Sequence, residues 1–179
     1  MDPRSDEQLV TQLRGGSSDA FEQLYERYRR HIYTFCLKLS GDRSLAEDAT
    51  HDTFVRMHDH IGSLNDAAQL RTWLFSIARN GVFRQLHNYR RNGSYDDENV
   101  WTDETPLSIA EHQNASAIVS ACIALLKPEY REVLFLREYE QHTYVEIALI
   151  TGNTEDSVKS RLFKARKALA EKLKPYFKD

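Results

Sequence analysis

Apolar residues recur at three- and four-residue steps through most of the chain, and strand-like alternation is nearly absent. The clearest run lies near the N-terminus and consists of Phe21, Leu24, Tyr25, Tyr28, Ile32, Phe35, Cys36 and Leu39. This spacing predicts a long amphipathic helix with one buried face. Ser18 and Asp19 are its candidate N-caps, and Gly41 is its candidate stop. The pattern predicts an all-α fold.

The same spacing predicts further helices on either side of this run. We expect a short helix over residues 6–13, closed by Gly15 and Gly16, and two longer helices over residues 45–61 and 70–89. A glycine after the last apolar position is a common helix stop. These segments predict one helical block packed around its apolar faces.

Residues 94–111 differ in character from the segments on either side. They contain six acidic residues and no Lys or Arg, include Pro106, and are short of aliphatic side chains. So few apolar groups cannot offset the entropy that ordering would cost. We therefore expect a flexible acidic linker over 93–114, which separates a helical domain over 1–92 from a second one over 115–179.

The second block carries a helix-turn-helix pattern. Thr143 and Glu146 match a capping box that starts a short helix over 144–150. A tight turn with Gly152 follows, and Thr154 is placed to cap the last helix. One side of that helix is apolar, at Val158, Leu162, Ala165, Leu169 and Leu173.

The residues on the opposite face of the last helix indicate contact with duplex DNA. It carries Asp156, Lys159, Ser160, Phe163, Arg166 and Lys167. In a helix-turn-helix the second helix enters the major groove, where Lys and Arg meet phosphates or guanine edges and a ring meets a thymine methyl. Residues 156–179 hold eight Lys or Arg against three acids, so this end is basic although the chain has a net charge of −3. A merely solvated basic helix is the alternative.

A second basic stretch lies in the helix expected over 70–89, where no acidic residue occurs. Arginines are interleaved with aromatic rings in this helix and in the two residues after it: Arg71, Arg79, Arg84, Arg90 and Arg91 with Trp73, Phe75, Phe83 and Tyr89. Such a stretch suits single-stranded nucleic acid, because bases stack on the rings and Arg follows the backbone. The alternative is that some of these rings belong to the core.

The helix expected over 45–61 is acidic by contrast. Its charged residues include Glu47, Asp48 and Asp52, and we expect Phe54 or Met57 to be exposed near them. Acids beside exposed apolar groups suit docking to a protein. Ordinary surface charge is the alternative.

The sequence lacks the residue spacings of common catalytic and metal sites. Neighbouring carboxylates such as Glu47 and Asp48 point about 100° apart on a helix and do not converge on one proton. The seven histidines form no HExxH pair and no zinc-type set with cysteine, and no glycine-rich phosphate loop occurs. We expect no catalytic residue, no cofactor and no metal.

Cys36 and Cys122 each lie within an apolar helical pattern. We expect two buried core thiols rather than a redox pair or metal ligands. No apolar run reaches the roughly 18 residues that a membrane helix needs. We therefore expect a soluble, cytoplasmic protein with no membrane insertion.

Three stretches in this order and at these distances resemble the extracytoplasmic-function (ECF) group of bacterial sigma factors over nearly the whole chain. Residues 46–54 (AEDATHDTF) are similar to the AED-x-x-Q-[ED]-x-F of region 2.2, and residues 70–80 (LRTWLFSIARN) to the FRTWLYRIARN of region 2.3. Residues 126–137 (LKPEYREVLFLR) and 157–166 (SVKSRLFKAR) resemble regions 4.1 and 4.2. The resemblance implies two helical domains that bind core RNA polymerase, direct it to promoters and help to open them.

The resemblance also implies roles for particular residues. The β′ clamp helices of the polymerase would contact Glu47, Asp48, Asp52, Phe54 and Met57. The β subunit is implied as a further partner. Capture of the melted −10 strand, with a base flipped into the loop at 65–69, would use Asn65, Asp66, Arg71, Thr72, Trp73, Phe75, Arg79, Asn80, Arg84 and His87. Reading of the −35 duplex would use Thr154, Ser157, Lys159, Ser160, Arg161, Phe163, Lys164, Arg166 and Lys167. The acidic linker would lie in the polymerase channel near the RNA path, and an anti-sigma partner often clamps the two domains.

The chain departs from the family pattern at several positions. His51 stands where Gln is usual, the loop over 64–69 lacks the frequent Arg-Gly, and Arg84 stands where Asp is common. Asn153 and Asp156 replace an aliphatic residue and a common Gly. These changes bear on the polymerase contact, on −10 choice and on the −35 turn, so no promoter sequence is transferred.

Two other functions fit parts of this pattern. A helix-turn-helix regulator could act on duplex DNA without polymerase, but it would not need the helix of alternating arginines and rings. An inactive adaptor could bind only a regulatory protein, and charge reversal on the last helix would then leave promoter binding unchanged.

Overall fold

The computed structural model describes residues 4–91 and 115–177, apart from the side chains of 89–91. These residues contain helices and no strand, which confirms the all-α class. Within these ranges no helix is both long enough and apolar enough to cross a membrane. The linker expected over 93–114 lies outside the described residues.

The helices fall into two units. The N-terminal unit comprises α1 (Asp6–Arg14), α2 (Ser18–Ser40), α3 (Arg43–His60), the 3-10 turns Ile61–Ser63 and Ala67–Gln69, and α4 (Leu70–Arg91). The C-terminal unit comprises α5 (Ala115–Ala124), α6 (Pro128–Leu134), a π-helical turn (Phe135–Tyr139), α7 (Tyr144–Thr151) and α8 (Glu155–Leu173). Every helix that the sequence predicts is present, with small differences in its bounds.

Local capping sets the ends of α2. Ser17 is the N-cap, since its hydroxyl accepts a hydrogen bond from the backbone N–H of Ala20 at 3.2 Å. The expected caps Ser18 and Asp19 were therefore wrong, because both already lie in the first helical turn while Ser17 has the extended backbone that a cap requires. Gly41 ends the helix in the left-handed region with φ 71°, as predicted.

The helix-turn-helix pattern is confirmed in the C-terminal unit. Thr143 Oγ1 accepts from the backbone N–H of Glu146 at 3.2 Å, and the Glu146 carboxylate accepts from the N–H of Thr143 at 2.6 Å. This is the predicted capping box of α7. Gly152 then makes the turn with φ 65°, and Thr154 caps α8.

The N-terminal unit is built around α2. Its buried side chains, among them Leu24 and Ile32, pack against α3 and α4, while α1 lies across its start. Asp6 ties α1 to this helix, because its carboxylate accepts hydrogen bonds from Arg27 and Tyr28. The arrangement places α3 and α4 side by side, each with a face directed to solvent.

The C-terminal unit is built around α8, which buries Val158, Leu162 and Ala165 as predicted. Cys122 of α5 packs beside this helix, and Cys36 lies in the core of the other unit. Both thiols are buried and free. Burial raises the pKa of Cys36 to about 12, so this thiol is not reactive at neutral pH. The expectation of two buried thiols is confirmed.

The two units pack against each other, which the sequence did not predict. α6 lies on α2, and α7 lies on α4. The ring centroids of Phe35 and Phe135 are 5.8 Å apart, and His142 meets Phe75 edge-on at 4.9 Å. We call this contact the closed arrangement. It buries part of the surface of α4.

Candidate functional site

An open groove of about 770 Å³ runs between α2 and α3. Its floor is aromatic: Tyr25 and Phe54 meet edge to face with centroids 4.7 Å apart, and Phe21 meets His58 at 5.7 Å. Its charged lining side chains are Arg29, Arg30, Glu47 and Asp59. An apolar floor with a charged rim suits a helix of a protein partner.

The groove brings together part of the set expected to dock on polymerase. Glu47 and Phe54 line it, and Asp48 is exposed close by on α3. Asp52 is half-buried, and its carboxylate lies 3.6 Å from the guanidinium of Arg84 on α4. Of the three expected acids, Glu47 therefore lines the groove, whereas Asp52 faces α4.

The expected exposure of Phe54 and Met57 was wrong. Phe54 is 3% exposed because it packs on Tyr25, and Met57 is fully buried in the core. The large apolar side chain that α3 does expose is Val55, which also lines the groove and which the sequence reading missed. His51 lines the groove as well, so this departure from the family pattern falls on the candidate docking surface.

A smaller cavity of about 320 Å³ lies where the loop after α3 meets α4. It is lined by Ser63, Leu64, Asn65, Asp66, Gln69, Thr72, Trp73 and Ser76, and by Leu149 of α7. The Asp66 carboxylate accepts a hydrogen bond from the backbone N–H of Ala68 at 3.0 Å, so the loop is held in shape. The structure thus joins the expected loop residues to Trp73 around one cavity, which we call the loop cavity.

Two arginines of α4 are held by acids of the C-terminal unit. Arg71 Nη2 lies 2.8 Å from Glu140 Oε2, and Arg79 Nε donates to Glu132 Oε1. Glu140 also lies 3.1 Å from His31 Nδ1. Two of the cations expected to follow a DNA strand, Arg71 and Arg79, are therefore occupied in the closed arrangement.

Other expected −10 contacts are also covered. Phe75 is fully buried and Thr72 nearly so, because α4 turns this face toward α2 and α7. In the closed arrangement Phe75 is closed to DNA, whereas Thr72 keeps a small exposed part at the loop cavity. That either residue contacts DNA stays a prediction. Asn80, Arg84 and His87 are exposed on α4.

Burial perturbs the titratable groups at the contact between the units. The Glu132 side chain is fully buried, and burial raises its pKa although Arg79 opposes this. His142 is also fully buried, and burial together with Arg71 lowers its pKa to about 4. The nearest acid to its ring is Glu146, with Oε2 at 3.7 Å from Nδ1. His142 is therefore neutral at pH 7.

The outer face of α8 stands in solvent as predicted. Its exposed side chains are Lys159, Ser160, Phe163, Lys164, Arg166 and Lys167, and Phe163 is 70% exposed. Thr154 and Ser157 serve the start of the helix, because the Thr154 hydroxyl accepts from the Ser157 N–H at 3.2 Å. A basic face with one exposed ring is free to meet a DNA groove.

Three cations of this set have partners within the C-terminal unit. Lys159 Nζ lies 3.4 Å from Asp156 Oδ1 and 3.8 Å from Glu155 Oε2. Arg161 is half-buried and donates to Asn153 Oδ1 at 3.0 Å. Arg166 donates to Glu138 Oε1 at 2.6 Å. Asn153 was singled out only as a departure from the family pattern, and its bond to Arg161 was not predicted.

The residues that the sequence reading missed belong to the contact between the units: Glu132, Glu140, His142 and Leu149. The two acids look like ordinary surface charges of a helix, and nothing in the spacing marks their distant partners. In the part of the chain that is described, no group of three or more His, Cys, Asp or Glu is placed to hold a metal ion.

Comparisons with known proteins agree on one family. Residues 24–92 match Sigma-70 region 2, and residues 116–169 match Sigma-70, region 4. The ECF RNA polymerase sigma factor SigM of Bacillus subtilis is 29% identical over 150 residues, which cover 83% of this chain and 91% of SigM. The ECF RNA polymerase sigma factor SigL of Mycobacterium tuberculosis is 33% identical over 150 residues, which cover 82% of this chain and 84% of SigL.

Solved structures show the same fold. CnrH, in complex with the cytosolic domain of CnrY, has a TM-score of 0.71 at 23% identity, covering 96% of this chain and 99% of that chain. RpoE of Bartonella quintana, in complex with the anti-sigma factor NepR, also has a TM-score of 0.71 at 23% identity, covering 88% and 98%. With both sigma-70 regions matched over more than half of its length, the chain belongs to the ECF RNA polymerase sigma factors.

Proposed function

We propose that this sigma factor docks on core RNA polymerase and holds the separated −10 strand with its N-terminal unit, and reads the −35 duplex with its C-terminal unit. The observation that carries the proposal is the presence of three distinct surfaces: the groove, the loop cavity beside α4, and the basic face of α8. Each surface suits a different partner: the groove suits polymerase, the loop cavity an unpaired base, and the face of α8 duplex DNA. The chain supplies binding energy and no catalytic residue.

The groove between α2 and α3 is the proposed seat for the β′ clamp helices. Val55 offers apolar contact above the buried Phe54 ring, which forms part of the floor, and Glu47 stands at the rim. Asp48 and Asp52 extend the acidic surface along α3, while Met57 supports it from the core. Such a site combines a desolvated centre with a charged edge, as protein interfaces commonly do. The β subunit is a further proposed contact of the polymerase.

The loop cavity is the proposed seat for an unpaired −10 base. Asn65 and Asp66 offer hydrogen-bonding groups, and Trp73 offers a ring on which a base can stack for about 1–3 kcal/mol. The strand would continue along α4, whose polar side chains on this path are Arg71, Arg79, Asn80, Arg84 and His87. Trapping the base out of the duplex would favour the open promoter.

The exposed face of α8 is the proposed reader of the −35 duplex. Lys159, Lys164 and Lys167 are placed to meet phosphates, and Phe163 to meet a thymine methyl in the major groove. Phosphate contacts of this kind make binding weaken with salt.

Promoter opening would require the two units to part. Glu140 and Glu132 occupy Arg71 and Arg79 in the closed arrangement. A carboxylate and a phosphate compete for the same guanidinium donors, so the −10 strand cannot bind while both acids remain. Leu149 also forms one wall of the loop cavity and would have to leave.

The related structures suggest a regulatory partner as well. The related structures hold CnrH with CnrY and RpoE with the anti-sigma factor NepR. We expect a comparable anti-sigma partner for this chain, one that stabilises the closed arrangement. We also propose that this sigma factor acts in the cytoplasm, where RNA polymerase transcribes DNA.

Run-off transcription tests the proposed function. Core polymerase with the full chain should give promoter-dependent transcripts from genomic fragments, and core polymerase alone should not. Lys159→Glu combined with Lys164→Glu should abolish them, because two phosphate contacts become repulsive. Lys174→Glu, beyond the end of α8, is the matched control and should retain activity.

The two alternative functions give different outcomes in this experiment. A regulator that works without polymerase would bind duplex DNA but yield no transcript with core enzyme. An adaptor would bind no promoter, and the double charge reversal would then change nothing. Either result would contradict the proposed function.

A further inference from the structure

Arg14, the last residue of α1, reaches out of its own helix to the loop beside the loop cavity. Its guanidinium donates to the backbone carbonyl of Leu64 and, from Nε at 3.4 Å, to that of Ile61. These carbonyls lie in and just after the 3-10 turn that continues α3, where few helical partners remain for backbone acceptors. The Ile61 carbonyl also accepts the N–H of Leu64 at 3.3 Å, so Arg14 is its second donor. A cation at such a helix end is electrostatically favourable. The side chain therefore joins segments 47 and 50 residues apart in sequence.

At Leu64 the chain passes from the core to the cavity wall. Leu64 itself is buried, while the next two residues, Asn65 and Asp66, are exposed and line the loop cavity. The other end of the loop is fixed by Leu70, the fully buried first residue of α4. Arg14 thus anchors one end of the segment that presents both polar groups.

The helix that carries Arg14 is a firm support. Leu9, Val10 and Leu13 of α1 are buried in the core. α1 also packs directly against the 3-10 turn Ala67–Gln69, so it contacts the loop on both sides of Asn65 and Asp66. This helix lies before the residues matched to Sigma-70 region 2, which begin at residue 24.

We propose that Arg14 is a positioning residue for −10 recognition. By holding the Leu64 carbonyl, it keeps Asn65 and Asp66 where they meet an unpaired base. Arg14 acts through the loop and contacts no base itself. A loop without this anchor would have to be ordered at each binding event, and that entropy cost would reduce the discrimination between bases. The proposal rests on the proposed function of the loop cavity.

Hydrogen–deuterium exchange of the full chain tests the anchor directly. Arg14→Ala should speed amide exchange over residues 61–69 about tenfold, because a hydrogen bond from a charged group is lost there. Exchange in the middle of α2 should stay unchanged. Arg14→Lys keeps the charge but not the planar fork of donors, so its effect should be intermediate.

Arg27→Ala is the matched control for this measurement. Arg27 pairs with Asp6 and donates to the carbonyl of Arg4 at 2.8 Å, so its loss weakens the hold of α2 on α1 without touching the loop. It should leave exchange over residues 61–69 unchanged. Equal acceleration in Arg27→Ala and Arg14→Ala would overturn the proposal, since general loosening of α1 would then explain both.

A transcription assay tests the consequence for recognition. Core polymerase and the chain transcribe a template pool with randomised −35 and −10 segments, each template carrying a transcribed barcode. Arg14→Ala should lose about tenfold of the base preference at one −10 position and keep the −35 preference. Unchanged −10 preference, or equal loss in both segments, would overturn the positioning role. A wild-type chain with no preference at all would instead overturn the proposed function.

Discussion

Asn153 shows how a single residue connects the turn of the helix-turn-helix to its DNA-reading helix. Its amide donates to the carbonyl of Thr151 at 2.8 Å, and its Oδ1 accepts from Arg161 at 3.0 Å. We expect Asn153→Ala to lower the free energy of unfolding by about 1 kcal/mol, because the half-buried guanidinium loses a partner. Urea unfolding of the full chain measures this, and Ser160→Ala on the exposed face should be neutral.

The same pair permits a double-mutant cycle. Because Asn153 and Arg161 are in direct contact, Asn153→Ala and Arg161→Ala should not be additive, with a coupling of about 0.5 kcal/mol or more. Strict additivity would contradict the bond. The sequence places both residues in the helix-turn-helix but cannot indicate this bond. Asn153 lies in the turn and Arg161 lies eight positions later in α8, so the geometry of the turn decides whether they meet.

The start of α7 has a clearly local origin. Its capping box satisfies two backbone N–H groups through Thr143 and Glu146. We expect Thr143→Ala to cost about 1 kcal/mol and to lower the unfolding temperature by a few degrees. Thermal unfolding followed by circular dichroism measures both. Thr143→Ser keeps a hydroxyl and should lose much less, and an equal loss in the two variants would contradict the capping explanation.

Helices of this kind are predictable because their determinants lie within a few residues. The stop at Gly41 and the start at Thr154 are examples, and the cap of α2 was missed only because Ser17 and Ser18 offer the same hydroxyl. The π-helical turn Phe135–Tyr139 was not predictable in this way. Its Phe135 packs on Phe35 of the other unit, so its surroundings depend on a contact that no local pattern contains.

For the molecule as a whole, the closed arrangement decides which surfaces are available. Apolar spacing indicates which face of a helix is buried but not which helix covers it. The acidic residues of α3 and the basic face of α8 could therefore be predicted from the sequence, since each set lies on one helix. The groove between α2 and α3 could not, because two helices form it. The ion pairs Arg79–Glu132 and Arg71–Glu140 were not, because each joins residues more than 50 positions apart.

Glu132→Gln should open the closed arrangement. The variant removes the carboxylate that pairs with the largely buried Arg79 guanidinium. Breaking a fully buried ion pair costs about 3–5 kcal/mol. Arg79 retains 20% exposure, so we expect a smaller effect that still shifts the equilibrium at least about tenfold toward separated units. If burial kept Glu132 protonated, Gln would imitate it and no shift would follow.

Energy transfer between dyes on the two units measures this shift. Glu22→Cys and Glu171→Cys provide exposed labelling positions, while the buried native thiols Cys36 and Cys122 stay unlabelled. Glu138→Gln is the matched control, because this acid is exposed and pairs within its own unit. Transfer should fall in Glu132→Gln and stay high in the control.

His142 should make the closed arrangement sensitive to acid. Its ring lies buried against Phe75, facing the charged groups of Arg71, Glu140 and Glu146. Burial and Arg71 lower its pKa to about 4 when the units are together, whereas a solvated histidine in separated units returns to about 6.5. The separated form therefore binds the proton more readily, and the closed form loses stability as the pH falls from about 6.5 toward about 4.

Energy transfer between the same dyes should therefore fall between about pH 7 and about pH 5, with a change of at least about tenfold in the closed-to-open ratio. His142→Phe keeps a buried ring without a titrating group and retains His31 beside Glu140, so it isolates the contribution of His142. The pH dependence should be much flatter in this variant. The same slope in both proteins would assign the acid response to carboxylates elsewhere and contradict the role of His142.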